Sequence, residues 1–402
     1  MNLILAVGIM IILGFLGGLA LGKLKFPMIT GYIIIGVLLS PSLLNIIPRE
    51  TVGELDIITN VALGIIAYLI GGSLHWADLQ RLAKSIMYVV PFESLGAWFL
   101  VTLVLASLGS LIIPGETFWQ TYFPMAFVIG AISCATAPAA TMAIISEYRA
   151  KGPFTTTLLA VVGLDDAIAV IAFAIASGIS RPLVNDAGSI SFYQMLGIPF
   201  LHIAESISIG IVFAIVLMYI SRLARTRELL LVVVFGMIML CTGVSTYLGL
   251  SLILANMVVG FVIVNKVTRR EMFEVVGEIE DVVYVMFFVL AGLHFDLSVM
   301  KFAGMLALLI VLTRCLGKYM GVRVGATISH APDNVKNYLG FALLPTAGVA
   351  VGLVLLASTQ FPTFGVVMLN AVLAATIINE LIAPPLSKYA IFKAGEAEVD
   401  HL

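Results

Sequence analysis

Two adjacent carboxylates, Asp165 and Asp166, stand inside an otherwise apolar stretch running from about Phe154 to Ser180. An ionised carboxylate in the hydrocarbon core of a bilayer costs at least ~2.5 to 3.5 kcal/mol, so two in succession point to a working site. Carboxyl groups in low dielectric and close to one another bind protons more readily and titrate as a coupled set. A cation can take the proton's place, so the chemistry on offer is reversible exchange of one for the other. Successive helical residues point about 100° apart, and the two side chains therefore cannot face one groove. One can face a water-filled cavity and hold the cation while its neighbour turns into protein toward a basic partner. Lys318, in Arg314-Cys315-Leu316-Gly317-Lys318-Tyr319-Met320-Gly321, is the natural partner, and Arg314, one turn earlier on the same face, competes for the role.

Two further segments carry polar residues into apolar sequence. Ser133-Cys134-Ala135-Thr136-Ala137-Pro138-Ala139-Ala140-Thr141 lies within a stretch from about 118 to 146, and Leu344-Pro345-Thr346-Ala347-Gly348 within one from about 336 to 359. Proline removes an intrahelical donor and clashes with the preceding turn. A single proline in a membrane helix is usually a kink, but the matched placement of these two predicts broken helices whose unwound backbone faces a cavity or protein interior. Thr136 and Thr346 are expected to cap the half-helices. Crossed at mid-depth, such half-helices bring opposite partial charges together and build ion sites in secondary transporters. Two weaker acids, Glu93 and Glu380, are expected to be structurally paired, with Asn379-Glu380 roughly mirroring the aspartate pair. Glu278, Glu280 and Asp281 are expected to pair with loop arginines, and His294 is assigned no role.

The elements that must position these groups are membrane helices. With 61% hydrophobic and 11% charged residues and a mean hydropathy of +1.13, the chain has too few polar side chains to cover a soluble surface. A net charge of −2 and the lack of a basic loop cluster give no sign of a nucleic-acid partner. Cys134, Cys241 and Cys315 lack the spacing of a metal site or disulfide framework. The first segment has no basic stretch before it and no cleavage site, and reads as a retained span.

Windows of roughly 20 apolar residues, enough to cross the hydrocarbon, give thirteen spans: about 2–22, 27–47, 56–77, 85–113, 118–146, 154–180, 191–221, 228–248, 250–266, 275–295, 298–323, 336–359 and 363–391. The division between the eighth and ninth is the least sharp. Sixteen basic residues, from Lys23 to Lys393, then fall on one side and three, Arg49, Arg181 and Lys301, on the other. That asymmetry places the amino terminus outside and the carboxyl terminus in the cytoplasm, and the plasma (inner) membrane is the expected location. A seven-span offset relates the first six spans to the last six, and an odd offset makes the halves inverted repeats. The chain divides into 2–180 as the first repeat, 181–227 as a linker with the seventh span, 228–391 as the second repeat and 392–402 as a short tail.

Gly163-Leu164-Asp165-Asp166-Ala167 after a Thr-Ala-Pro break, Gly317-Lys318-x-x-Gly321, and Phe287-Phe288-Val289-Leu290-Ala291-Gly292-Leu293 before Asp296 resemble the electrogenic branch of the monovalent cation:proton antiporters, the NapA and NhaA type. It is related to the Kef-type potassium efflux proteins, whose regulatory nucleotide-binding domain is not expected here. The resemblance implies an all-α membrane protein of thirteen helices with crossed broken helices, a core domain moving against a dimerisation domain, and a homodimer. It implies that Asp166 carries the cation and proton, that Asp165 pairs with Lys318, and that Thr136 and unwound backbone around Ser133, Ala137, Pro138, Pro345, Thr346 and Gly348 complete the site. The transported ions are Na+ or K+ and H+, with membrane lipid as surroundings and no cofactor. Ala137 and Thr346-Ala347-Gly348 depart from relatives that carry Asp or Arg-Gly-Glu there, which leaves ion selectivity open. Rival readings are a potassium/proton antiporter, a sodium-coupled solute symporter, a gated channel and, remotely, an intramembrane aspartyl protease. A protease needs its two aspartates on separate helices, and no Gly-x-Gly-Asp occurs. The expected class is a transporter, not an enzyme.

Overall fold

Lipid offers no water to a bare amide, so apolar segments close their hydrogen bonds internally as helices. The computed structural model describes residues 1–23, 28–55, 57–76, 83–112, 115–137, 141, 145, 148–184, 197–266, 271–346 and 348–397, with no strand among them. Fifteen α-helices are described: α1 (Leu3–Lys23), α2 (Met28–Leu39), α3 (Arg49–Glu54), α4 (Ile57–Ser73), α5 (Ala83–Ile112), α6 (Phe123–Ile132), α7 (Pro153–Val184), α8 (Ile198–Ile220), α9 (Arg227–Tyr247), α10 (Leu252–Lys266), α11 (Glu271–Leu293), α12 (Met300–Ile328), α13 (Asp333–Ala342), α14 (Gly348–Gln360) and α15 (Pro362–Lys393). Seven of these, α1, α5, α7, α8, α9, α12 and α15, are long and apolar enough to cross a membrane.

Several boundaries differ from the hydropathy windows for identifiable reasons. The second window runs to 47, but α2 stops at Leu39, ahead of Ser40-Pro41, where proline disfavours helix in the residue before it. The short α3, preceded by Pro48, follows in a stretch the windows left as a loop. The eighth and ninth windows are separate helices, divided at Gly249, whose φ of +70° favours glycine.

The helices pack as two groups. α5, α6, α7, α12, α13, α14 and α15 pack on one another, and α1, α2, α4, α8, α9, α10 and α11 do likewise, with a thinner seam between the groups where α7 and α14 meet α4, α8, α10 and α11. Small residues set the closest approaches. A Cβ placed on Gly317 of α12 would lie 2.5 Å from the Gly96 carbonyl and 2.8 Å from Ala97 Cα of α5, and one on Gly321 would lie 2.5 Å from Glu93 Cα. Glycine at these positions lets the two backbones touch, as in small-residue membrane interfaces. The consequence reaches the site: the side chain of Lys318 is delivered against α5 beside Glu93.

Candidate functional site

Both polar segments interrupt their helices. α6 ends at Ile132, Ser133 closes its last turn, and residues 135–137 are non-helical. α13 ends at Ala342, residues 344–346 are non-helical, and α14 begins at Gly348. The breaks touch: the Ala137 amide donates to the Pro345 carbonyl at 2.9 Å. Thr141 Oγ1 donates to the Ala342 carbonyl at 3.3 Å, a second tie between the two segments. Pro138 and Ala347 lie outside the described residues.

Unwound backbone leaves carbonyls without intrahelical partners, and a buried one left bare is costly. Arg314, 1% exposed, supplies the donors. Its Nε donates to the Ser133 carbonyl at 2.9 Å, one terminal nitrogen to Leu344 at 2.7 Å, and the other to Ala135 at 2.7 Å, with longer contacts to Leu343 at 3.4 Å and Pro345 at 3.5 Å. The planar five-donor guanidinium suits this bridging in a way an ammonium does not. Arg314 thus holds carbonyls of both breaks and has no carboxylate in ion-pair range among the described residues.

Lys318, fully buried, is the hub of a second network. Its Nζ donates to Glu93 Oε2 at 2.6 Å, the Cys134 carbonyl at 2.8 Å, Thr136 Oγ1 at 2.9 Å and Asp165 Oδ2 at 3.1 Å. Thr136 Oγ1 in turn donates to Asp165 Oδ2 at 2.6 Å, and Ser94 Oγ to Glu93 Oε1 at 2.6 Å. Glu93 is therefore the shorter ion-pair partner of Lys318, an arrangement that spacing along the chain did not single out. Thr136, expected to cap a half-helix and to offer oxygen to a cation, is engaged with Asp165 and Lys318 and makes no bond to Asp166.

The two aspartates of α7 diverge as helix geometry requires. Asp165 is 0% exposed and turned into the Lys318 cluster, whereas Asp166 is 7% exposed and accepts no hydrogen bond among the described residues. Across the seam, on α11, the side chain of Tyr284 is hydrogen-bonded to Glu280 and lies within electrostatic range of Asp166 and Asp281. Tyr284 was not picked out in the sequence, although its i, i+4 relation to Glu280 was the available signal. Glu278 instead pairs with Arg227 at 2.9 Å on the surface.

Glu380 accepts from the Thr346 amide at 3.2 Å, and Asn379 Nδ2 donates to Thr346 Oγ1 at 3.4 Å, so the Asn-Glu pair steadies the second break. The amino end of α7 is fixed from the carboxyl end of the chain. Glu396 accepts from the Phe154 and Thr155 amides at 2.8 Å each, satisfying two first-turn donors and the positive helix end. At the other end of α7 the seam borders an open cavity of about 550 Å³ lined by Asn60, Ser177, Arg181, His202 and Gln360 among others.

A buried cation pinned between two carboxylates, beside a third carboxylate at a seam between helix groups, can exchange protons and admit a small cation. Among the described residues it offers no aligned nucleophile or second facing aspartate for hydrolysis.

A sequence profile described as "Sodium/hydrogen exchanger, transmembrane" matches residues 8–388. The Na(+)/H(+) antiporter NhaS4 of Synechocystis sp. is 24% identical over 404 residues, covering 96% of each chain. The solved structure of the sodium proton antiporter MjNhaP1 from Methanocaldococcus jannaschii at pH 8 shares the fold, with a TM-score of 0.76 and 18% identity over 98% of each chain. A second structure of that antiporter, an electron-microscopy map, gives 0.72 and 20%.

Proposed function

Because the chain belongs to the sodium/hydrogen exchanger family, and so is an integral membrane antiporter of monovalent cations and protons rather than an enzyme, we propose that Asp166 is the carboxylate on which Na+ and H+ compete. The observation that carries this reading is the division of labour on α7: Asp165 is locked to Lys318 and Thr136, whereas Asp166 accepts no hydrogen bond among the described residues and lies within electrostatic range of Tyr284. Glu280 and Asp281 attract the cation along α11. It sheds water at Asp166, with unwound backbone near the breaks supplying further oxygens.

The group containing α7 and α12 then moves against the group containing α4 and α11, and protons arriving from the other side displace the ion. The full architecture in this reading has thirteen spans in two inverted repeats, amino terminus outside and carboxyl terminus in the cytoplasm of a plasma membrane, assembled as a homodimer through the second group. Asp165 releases a second proton in each cycle, so transport is electrogenic.

Purified protein in liposomes tests the reading. Proton flux driven by Na+, Li+ and K+ in turn is expected to rank Na+ first, and a K+ preference replaces the sodium assignment. Flux indifferent to membrane potential removes the electrogenic one. Simultaneous, independent loading of cation and proton in calorimetry refutes the shared site.

A further inference from the structure

Lys318 carries one positive charge but sits between two buried carboxylates, and their surroundings are not alike. Both oxygens of Glu93 accept from donors, Oε1 from Ser94 and Oε2 from Lys318, each at 2.6 Å. Only one oxygen of Asp165 is so served: Oδ2 accepts from Thr136 and Lys318, while Oδ1 is buried with no hydrogen-bond partner among the described residues. A carboxylate whose oxygens all accept is stabilised as the anion, and a bare buried oxygen favours proton uptake. The other groups facing the cluster do not compete for Lys318. Arg314 is committed to carbonyls of the breaks, Cys134 offers its carbonyl, and Asp166 and Glu380 make no bond to the ammonium.

We infer that Glu93 is a positioning residue of the exchange: it is the permanent counter-ion of Lys318, and it frees Asp165 to take and release a proton. With Glu93 in place, protonation of Asp165 leaves a neutral Lys318–Glu93 pair. Without it, the same proton strands a buried ammonium, so Asp165 stays ionised to hold Lys318 and drops out of the cycle. This rests on the electrogenic reading above, since it explains how the second proton becomes exchangeable.

The test is the proton-to-cation ratio, obtained in liposomes from the potential at which opposed gradients give no net flux. Wild-type protein is expected to exchange two protons per cation, Glu93→Gln one, and Glu93→Asp, which keeps the charge, two. The companion variant is Asp165→Asn, which leaves Lys318 paired with Glu93: it is expected to keep a melting midpoint near that of wild type and to exchange one proton per cation, so the inference is tested even if Glu93→Gln alone folds too poorly to measure. A merely structural Glu93 lowers yield or rate without moving the ratio. A ratio of two in Glu93→Gln, or in Asp165→Asn a loss of melting midpoint as large as that of Lys318→Gln, overturns the inference. A ratio of one in wild-type protein defeats the electrogenic reading and the inference with it.

Discussion

Replacing Arg314 by methionine tests how the crossed breaks are held. The substitution keeps an apolar stem of similar reach and removes the donors to the Ser133, Leu344 and Ala135 carbonyls, all at 2.9 Å or shorter. Three buried carbonyls left bare cost about 1–3 kcal/mol each. Relief from no longer burying a cation offsets part of this, leaving a net loss of about 3–5 kcal/mol. At roughly 2 °C per kcal/mol for a large domain, the melting midpoint in detergent, followed by size-exclusion chromatography of heated samples, is expected to fall about 6–10 °C, and exchange to be lost with it. Arg314→Lys delivers its donors from a single point, serves the carbonyls of one break but not both, and is expected to recover about half of the loss. A midpoint for Arg314→Met within about 2 °C of wild type, smaller than one buried unpaired carbonyl would produce, refutes the claim that the guanidinium secures the breaks.

Asp166→Asn is expected to abolish cation-dependent proton flux in liposomes while leaving the melting midpoint near that of wild type, and retained exchange assigns the site elsewhere. Lys318→Gln breaks a buried pair, at about 3–5 kcal/mol, and unchanged thermal stability would show that the cluster around it contributes little. Glu396→Ala uncovers the Phe154 and Thr155 amides and is expected to cost about 0.5–2 kcal/mol, read as a lower midpoint with the coupling ratio unchanged. If one proton competes with the cation at Asp166, the half-saturating Na+ concentration rises as pH falls, by about tenfold per pH unit in the competitive range. A half-saturation independent of pH contradicts a shared site.

The sequence by itself determined the membrane class, the helical fold and the aspartate pair. These follow from what lipid forbids: a bare backbone amide, which makes helices of apolar runs, and a charge without purpose, which makes Asp165 and Asp166 conspicuous. The fixed angle between successive helical residues already required the two to part, and they do. The matched prolines foretold two interruptions, and α6 and α13 end beside them. What the sequence left open was every choice between equivalent partners. Arg314 and Lys318 share one face of α12; the flanking glycines favoured Lys318 as the partner of Asp165, and its Nζ lies 3.1 Å from Asp165 Oδ2, but nothing along the chain assigned Arg314 to the breaks or Glu93 to Lys318. That was decided by the approach of α12 to α5 through Gly96, Gly317 and Gly321, which brings Lys318 to Glu93, and by the crossing of the breaks, which brings five backbone carbonyls, dipoles rather than charges, within reach of Arg314. Glu93 and Lys318 lie 225 residues apart, and contacts of that separation depend on how helices pack, which the periodicity of any single helix does not encode.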